Sequence, residues 1–199
     1  MQQYLYLKGC LISVIILLML SIGSQSFAQT GLPCGNPDHT HEDIIRLDER
    51  LQILKNRPKT ARLSSGDPIN FVPVKFHIIR QSNGSGGLSA TQVNQALAKI
   101  NEYYLGCNIQ YYLAGSGPNY IDNDLYYDYT FSQEPALCNP NDLANAVNVY
   151  IPNTISYQSN QVAGYAYYPS TLAQSNRLFV RRDVALDQRT LAHELGHYF

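Results

Sequence analysis

The chain has 199 residues, a formal net charge of −1 and a hydrophobic fraction of 45%. This length fits one domain with a core of its own, and no internal repeat is evident. A charge so close to zero argues against nucleic acid or an anionic membrane as an electrostatic partner, since both attract strongly basic surfaces.

Residues 1–28 have the pattern of a secretory signal peptide. Lys8 places a positive charge before an apolar run at 11–20, and Ser26-Phe27-Ala28 has the small-residue pattern of a cleavage site. The apolar run is shorter than the ~20 residues that a membrane-spanning helix needs. We therefore predict cleavage after Ala28 and a secreted or extracellular protein, with the periplasm or the cell surface as alternatives.

Residues 29–66 are polar and charged, and we interpret them as a pro-segment. Apolar residues at helical spacing predict a short helix between 44 and 54. The stretch 55–66 is basic, contains a proline and ends in Ser-Ser-Gly, which is typical of an exposed linker open to proteolysis. The domain boundary is predicted there, so that residues 67–199 form the domain that follows.

Five strands and two helices are predicted in that domain. A capping box of Ser89 and Gln92 begins the first helix, and the second follows Asp187. Gly164 and Pro169 in the fourth strand favour a position at an edge of the sheet. This order predicts an α+β fold, with a mixed sheet and helices packed on it. The strands are predicted at residues 71–80, 107–114, 146–152, 162–169 and 177–182.

A long stretch rich in Asn, Asp and Tyr, residues 115–143, separates the second strand from the third. A loop of this length is often functional or ordered by a ligand. Its side-chain oxygens are of the type that binds Ca²⁺, but they lack the spacing of an EF-hand, so calcium has no support and solvated turns are our interpretation. The residues concerned are Asn119, Asp122, Asp124, Asn139 and Asp142.

Three cysteines follow the predicted signal peptide. In an oxidising compartment, Cys107 and Cys138 are candidate disulfide partners. That pairing leaves Cys34 as an odd cysteine, which needs a role of its own.

The end of the chain carries the most specific pattern, His193-Glu194-Leu195-Gly196-His197. Asp187 can cap the helix that contains it, and Leu191, Leu195 and Tyr198 form the apolar face of that helix. At about 100° per residue, the two histidines lie one turn apart on the opposite side. This spacing lets two imidazoles bind one metal ion.

Zinc is the metal that this pattern favours. Neutral imidazole binds Zn²⁺, and a catalytic zinc holds a water whose pKa it lowers from ~15.7 to ~7. Glu194 lies beside the metal, so it is the candidate general base that takes the proton of the zinc-bound water and passes it to the leaving amine. A catalytic zinc usually has three protein ligands, and the motif supplies only His193 and His197. The alternative is a helix with two surface histidines and no metal.

The motif and its surroundings resemble the metzincin metallopeptidases, and among them the secreted pappalysin family. In that family HExxHxxGxxH supplies three histidine ligands and a glutamate base, and His193, Glu194 and His197 match its first half. The resemblance implies a twisted, mostly parallel five-stranded sheet with an antiparallel edge strand and two packed helices. It also implies a third ligand and a C-terminal subdomain beyond Phe199, so this chain alone is expected to be inactive.

The resemblance also indicates where a peptide binds. Substrates of the family lie extended against the edge strand, next to the zinc. The corresponding residues here are Gly164, Tyr165, Ala166 and Tyr167. Their backbone would pair with a peptide by strand addition.

A second resemblance concerns residues 32–38, Leu-Pro-Cys-Gly-Asn-Pro-Asp, which are similar to the cysteine switch of matrixin pro-enzymes. There a thiolate binds the zinc and keeps the enzyme latent, which makes Cys34 a candidate inhibitory zinc ligand. The arginine that precedes the cysteine in matrixins is absent here. The alternative is a disulfide between Cys34 and a cysteine beyond Phe199. Cleavage within 55–66 would release the inhibitor.

Together these patterns predict the precursor of a secreted zinc-dependent endopeptidase, a zymogen with one catalytic Zn²⁺ and a protein or peptide substrate. One alternative is a thermolysin-like metallopeptidase, in which a downstream glutamate is the third ligand. The residues after Phe199 distinguish these two. The other alternative is a non-catalytic secreted binding module on a protease scaffold, which would bind zinc without cleaving peptides.

Overall fold

The computed structural model describes residues 68–168, 173–187 and 189–199, together with Cys34, Gly35, Ile45 and Gln52. These residues belong to one unit that runs from Leu32 to Phe199. The predicted signal peptide and the linker at 55–66 lie outside the described residues. The predicted helix at 44–54 also lies outside them, apart from Ile45 and Gln52.

The described chain contains both helices and strands, and none of the helices there is long and apolar enough to span a membrane. In chain order the elements are β1 (Asn70–Arg80), α1 (Ala90–Tyr103), β2 (Ile109–Leu113), β3 (Asn119–Asp122), α2 (Asp124–Tyr127), β4 (Asp128–Thr130), a 3₁₀ turn (Phe131–Gln133), α3 (Glu134–Cys138), β5 (Val147–Ile151), β6 (Thr154–Tyr157), β7 (Asn160–Gln161), β8 (Gly164–Ala166), a second 3₁₀ turn (Ala173–Asn176), β9 (Arg177–Val180) and α4 (Thr190–His197).

The main sheet has six strands. Five of them follow the order β2-β1-β5-β9-β8, and β3 pairs with β1 as well. β1 is parallel to β2, β3 and β5, and β5 is parallel to β9, whereas β8 is antiparallel to β9. The predicted α+β fold, with a mostly parallel sheet and an antiparallel edge strand, is therefore confirmed. The strand β3 and a small second sheet of β4, β6 and β7 were not predicted.

Side chains alternate between the two faces of the main sheet, and each face carries a core of its own. Along β1, Val74, Phe76 and Ile78 are buried on the face that α1 and α4 cover. Ile79 of the same strand is buried on the other face, in a cluster rich in aromatic residues. This alternation follows from the two-residue period of a strand. We call the second cluster the aromatic face. Its buried residues are Ile79, Tyr129, Leu137, Cys138, Tyr150, Ile155, Val162, Tyr165 and Phe179.

Helix α1 begins at the predicted capping box. The Gln92 N–H donates to Ser89 Oγ at 3.3 Å, and the Ser89 N–H donates to Gln92 Oε1 at 2.9 Å. Near the end of the helix, the Asn101 amide accepts from the Tyr111 N–H at 2.7 Å and donates to the Tyr111 carbonyl at 2.9 Å. Asn101 therefore protects part of the outer edge of β2, which would otherwise be open to pairing with another chain.

The stretch 115–143 is not the long loop that the sequence predicted, because it contains β3, α2, β4, a 3₁₀ turn and α3. Its polar side chains bind other parts of the protein. Asp122 forms an ion pair with Arg80 at 2.6 Å, and Asp142 forms one with Arg177 at 2.6 Å. Asn139 Oδ1 accepts from the Arg177 guanidinium at 2.8 Å. These contacts explain why the stretch is rich in Asn and Asp without reference to calcium.

A buried polar network lies within the aromatic face. Arg177 is 6% exposed, and its Nη1 lies 3.1 Å from Oε1 of Glu134, which is 4% exposed. The hydroxyls of Tyr165 and Tyr167 donate to Glu134 Oε2 at 2.8 and 2.7 Å. Each charged group thus has partners that offset the cost of its burial.

The predicted disulfide between Cys107 and Cys138 is wrong, because both residues are free thiols. Cys138 is buried in the aromatic face. Cys107 is exposed in the turn after α1, where its N–H donates to the Tyr104 carbonyl, and α1 packs on the opposite face. The main sheet separates the two thiols.

Candidate metal centre

Helix α4 carries the histidine motif, and it begins where Asp187 satisfies its first N–H groups. Asp187 Oδ1 accepts hydrogen bonds from the N–H groups of Arg189 at 2.8 Å and Thr190 at 2.6 Å. Leu191 and Leu195 are 2% and 0% exposed and pack into the core beneath the helix. The helix contacts β8 and β9, so the motif lies at the β8 edge of the main sheet.

The two histidines of α4 point toward each other. Nε2 of His193 and Nε2 of His197 are 3.2 Å apart, and the two rings are nearly perpendicular at 88°. His193 is exposed and His197 is half-buried, so the pair is open to solvent on one side. The spacing of one helical turn thus brings two potential ligand nitrogens to one point.

Glu194 lies between these histidines in the sequence but points into the protein. It is 1% exposed. Burial raises the pKa of its carboxyl to about 7, and a hydrogen bond from Cys34 opposes that rise. A carboxyl with a pKa near neutrality is suited both to accept and to release a proton.

Cys34 reaches this site from the N-terminal part of the chain. Its Sγ lies 3.5 Å from Glu194 Oε2 and 4.0 Å from His197 Nε2. Its backbone forms a parallel bridge with Gly164, and the Gly35 N–H donates to the Gly164 carbonyl at 2.8 Å. Burial, together with the charge of Glu194, raises the pKa of the thiol to about 12, so the thiol is the donor in its bond to the carboxylate.

Cys34, His193 and His197 together form a candidate zinc site. Their ligand atoms all lie within 4.8 Å of one another, and no other group of this kind is present in the described part of the chain. Around tetrahedral zinc, neighbouring nitrogen and sulfur ligands are about 3.3 to 3.6 Å apart. The nitrogen–nitrogen distance of 3.2 Å agrees with this, whereas Cys34 Sγ, at 4.0 Å from His197 Nε2, has to move closer to bind the same ion. A set of thiolate and imidazole ligands also suits zinc chemically.

The predicted substrate strand is shorter in the structure than in the sequence analysis. Strand β8 contains Gly164, Tyr165 and Ala166, and Tyr167 lies beyond its end. Tyr165 is buried in the aromatic face, away from α4, whereas Ala166 packs on the α4 side. Gly164 also faces α4, next to Glu194. The side chains of β8 on the motif side are therefore small.

Two tyrosines at the site were not predicted from the sequence. The ring of Tyr168 contacts the ring of His197 edge-on, with centroids 5.6 Å apart. The Tyr104 hydroxyl donates to the Ala192 carbonyl at 2.9 Å and so links α1 to α4. Neither tyrosine belongs to a local pattern that marks it, because each contact joins segments that are distant in the sequence.

The fold and the site define an α+β domain with a candidate metal centre at the edge of its main sheet. No protein-family model matches the chain, and no curated protein matches it. Among solved structures, it is similar to metalloproteinase-II from Bacteroides fragilis, with 13% sequence identity and a TM-score of 0.37. The match covers 73% of this chain and 48% of that protein, so the chain spans about half of its length. Similarity at this level establishes neither family nor activity, and membership of the pappalysin family stays a prediction.

Proposed function

We propose that this protein is the precursor of a secreted zinc-dependent endopeptidase. The observation that carries the proposal is the convergence of His193 Nε2 and His197 Nε2, 3.2 Å apart, beside the buried carboxyl of Glu194. Paired imidazoles next to a carboxyl of raised pKa are the arrangement that metal-assisted hydrolysis needs.

His193 and His197 would hold the metal. When bound, zinc supplies a Lewis acid that polarises a carbonyl and makes water acidic enough to lose a proton near neutral pH. Glu194 takes no part in binding the metal in this proposal. It accepts a proton from the attacking water at a carboxylate oxygen and delivers that proton to the amide nitrogen as the C–N bond breaks. The products are a carboxylate and an amine.

The substrate class that we propose is a protein or peptide in extended conformation. Strand β8 ends the order of strands in the main sheet, and its carbonyl at Gly164 points away from β9, as its bond with the Gly35 N–H indicates. A peptide that adds to this edge as a further strand would pass directly beside the two histidines.

The first experiment separates zinc binding from hydrolysis. After chelation and dialysis, the protein is titrated with Zn²⁺, and we expect one ion per chain, with the affinity reduced at least tenfold in His193→Ala. Cleavage of a quenched fluorescent peptide library is then measured with the full-length gene product after removal of the pro-segment. Glu194→Gln should keep the zinc and lose at least about 100-fold in kcat, since it removes the proton acceptor.

The outcomes distinguish the alternatives. Zinc uptake without peptide cleavage would favour a non-catalytic binding module. Failure to bind zinc in both the latent and the processed form would refute the proposed metal centre. Undiminished hydrolysis by Glu194→Gln would refute the role given to Glu194 and leave the metal assignment in place.

We further propose that Cys34 keeps the precursor latent as an additional zinc ligand. The proposal is supported by the distance of 4.0 Å from Cys34 Sγ to His197 Nε2 and by the bond that the thiol donates to Glu194. A thiolate on the metal would exclude the water that attacks the substrate. Without the metal, the protonated thiol donates to Glu194 Oε2 and so occupies the proton acceptor.

The latency proposal has a matched control within the chain. Cys34→Ala should give peptide cleavage before any processing of the full-length product, whereas Cys107→Ala, at another free thiol, should stay latent. N-terminal sequencing of the activated protein should place the processing site within residues 55–66. Equal latency of the two variants would refute the inhibitory role of Cys34.

A further inference from the structure

We propose that Gly164 is a positioning residue for Glu194: the missing side chain of this strand residue provides the space that the carboxylate occupies. The role of Gly164 in catalysis rests on the function proposed above. The contact between Gly164 and Glu194 lies within this chain and can be tested in the metal-free protein.

The space at Gly164 is already filled by its neighbours. A Cβ atom at this position would lie 3.0 Å from Glu194 Oε1 and 3.1 Å from Glu194 Cγ. It would also lie 2.6 Å from the backbone carbonyl oxygen of Phe179 in β9. Even the smallest side chain would therefore displace Glu194 or the strand itself.

Backbone conformation does not explain a glycine here. Gly164 is absent from the glycines with positive φ, so its backbone is one that any residue adopts. The requirement concerns the volume of the side chain. Gly86 contrasts with it, since a φ of +86° requires glycine there on conformational grounds.

Neither neighbour can easily give way. The Phe179 carbonyl belongs to β9, which pairs with β5 on one side and with β8 on the other. Glu194 is 1% exposed, so its carboxylate has no solvent to move into. An added methyl group would therefore shift the carboxylate relative to the ligand nitrogens of α4 or push β8 away from the helix.

The test compares the effect of Gly164→Ala in three backgrounds, by urea unfolding of the metal-free protein. Glu194→Gln keeps the shape of the side chain. Glu194→Ala removes the Oε1 and Cγ atoms of Glu194 that the new methyl group would meet, and leaves the Phe179 carbonyl oxygen in place. We expect Gly164→Ala to lower the unfolding midpoint by similar amounts in the wild-type and Glu194→Gln backgrounds. In Glu194→Ala the loss should be smaller, because the space left by the carboxylate lets the methyl group move away from the Phe179 carbonyl oxygen.

The control substitution is Gly106→Ala, since nothing lies within 4 Å of a Cβ at this position and its φ is not positive. Its effect on the midpoint should be small and the same in every background. If Gly164→Ala does not fold, folding should return in the double variant with Glu194→Ala and not in the one with Glu194→Gln. An equal loss in all three backgrounds, or no loss in any of them, would overturn the proposal.

A second readout concerns catalysis. In the zinc-loaded full-length product, Gly164→Ala should lower kcat by about tenfold, since a misplacement of about 1 Å can cost about 100-fold and the contact with Glu194 requires a shift of a few tenths of an ångström. The zinc affinity should change by less than about threefold, because the two histidines are not displaced. A fall in zinc affinity as large as the fall in kcat would show that the substitution disturbs the whole site. If the wild type cleaves no peptide, the proposed function fails, while the unfolding comparison still decides the contact between Gly164 and Glu194.

Discussion

Acidification should destabilise this protein through one buried histidine, His77 in β1. Its side chain is 0% exposed and stacks on Tyr150, with ring centroids 4.3 Å apart. Nε2 lies 2.9 Å from Asn148 Oδ1, and Nδ1 lies 3.1 Å from Asn119 Nδ2. Since an amide NH₂ can only donate, Nδ1 accepts and Nε2 carries the proton. The neutral imidazole thus satisfies both partners, and a second proton on Nδ1 would face a donor.

The size of the effect follows from the pKa of His77. Burial lowers it from 6.5 to about 4, and the hydrogen bond with Asn148 opposes part of that change. The unfolded chain therefore binds a proton between pH 6.5 and 4 that the folded protein does not, so the contribution of His77 is complete above pH 6.5 and is lost as the pH falls through this window. At 1.36 kcal/mol per pKa unit, the full loss is about 3 kcal/mol, of which about 2 kcal/mol falls between pH 7 and pH 4.5.

The assay is urea unfolding of the wild type and of His77→Gln at several pH values between 7 and 4.5. All other titrating groups are common to the two proteins, so the difference between their unfolding free energies isolates His77. Between pH 7 and pH 4.5, we expect the unfolding free energy of the wild type to fall by about 2 kcal/mol more than that of His77→Gln. If the unfolding free energies of the two proteins change in parallel with pH, to within about 0.5 kcal/mol, the folded protein accepts the proton at no cost, and the reasoning is refuted.

Three further predictions concern other parts of the fold. With the pKa of its thiol raised to about 12 from 9.0, Cys34 should be alkylated about a thousandfold more slowly in the native, EDTA-treated protein than in urea, as followed by mass spectrometry of peptides. Asn101→Ala removes two hydrogen bonds to the backbone of β2 and should cost about 1 to 3 kcal/mol in chemical unfolding, with a greater tendency to aggregate. Arg177→Met should cost about 3 to 5 kcal/mol by leaving the buried Glu134 without its ion pair. Arg80→Ala, at an exposed pair, should cost much less, and equal losses would contradict the importance given to burial.

The main sheet and helix α4 were predictable because their patterns are local. Strands β1, β5 and β9 are rich in apolar residues, most of which are buried in the structure. The cap at Asp187 and the apolar face of Leu191 and Leu195 are contained within nine residues of sequence. A pattern of this kind needs no knowledge of the rest of the chain.

The elements that were missed depend on their partners. Strand β3 has only four residues, Asn-Tyr-Ile-Asp, and is defined by its pairing with the end of β1. Nothing in its composition separates it from a turn. The disulfide prediction failed for a similar reason: counting cysteines says which can pair, but only the fold places Cys107 and Cys138 on opposite faces of the sheet.

The candidate site also contains both residues that a local pattern predicted and residues that only long-range contacts bring together. The i, i+4 spacing of His193 and His197 predicted their convergence, since it is a property of one helix. The distance from Cys34 to Glu194 joins residues 160 positions apart, and the sequence offered only a resemblance for it. The need for glycine at position 164 arises from contacts with Glu194 and Phe179, which no pattern within β8 contains.

These contacts make strand β8 the element that links catalysis to latency in the proposed function. One side of Gly164 leaves room for the Glu194 carboxylate, and its carbonyl accepts from the Gly35 N–H at 2.8 Å. A peptide that pairs with this carbonyl as an added strand competes for the same acceptor. Substrate and pro-segment would therefore exclude each other through the backbone alone, whether or not Cys34 binds the metal. Cys34→Ala would then remove the ligand while Gly35 still competes for the edge, so the variant should be active before processing but with a higher KM than the processed protein.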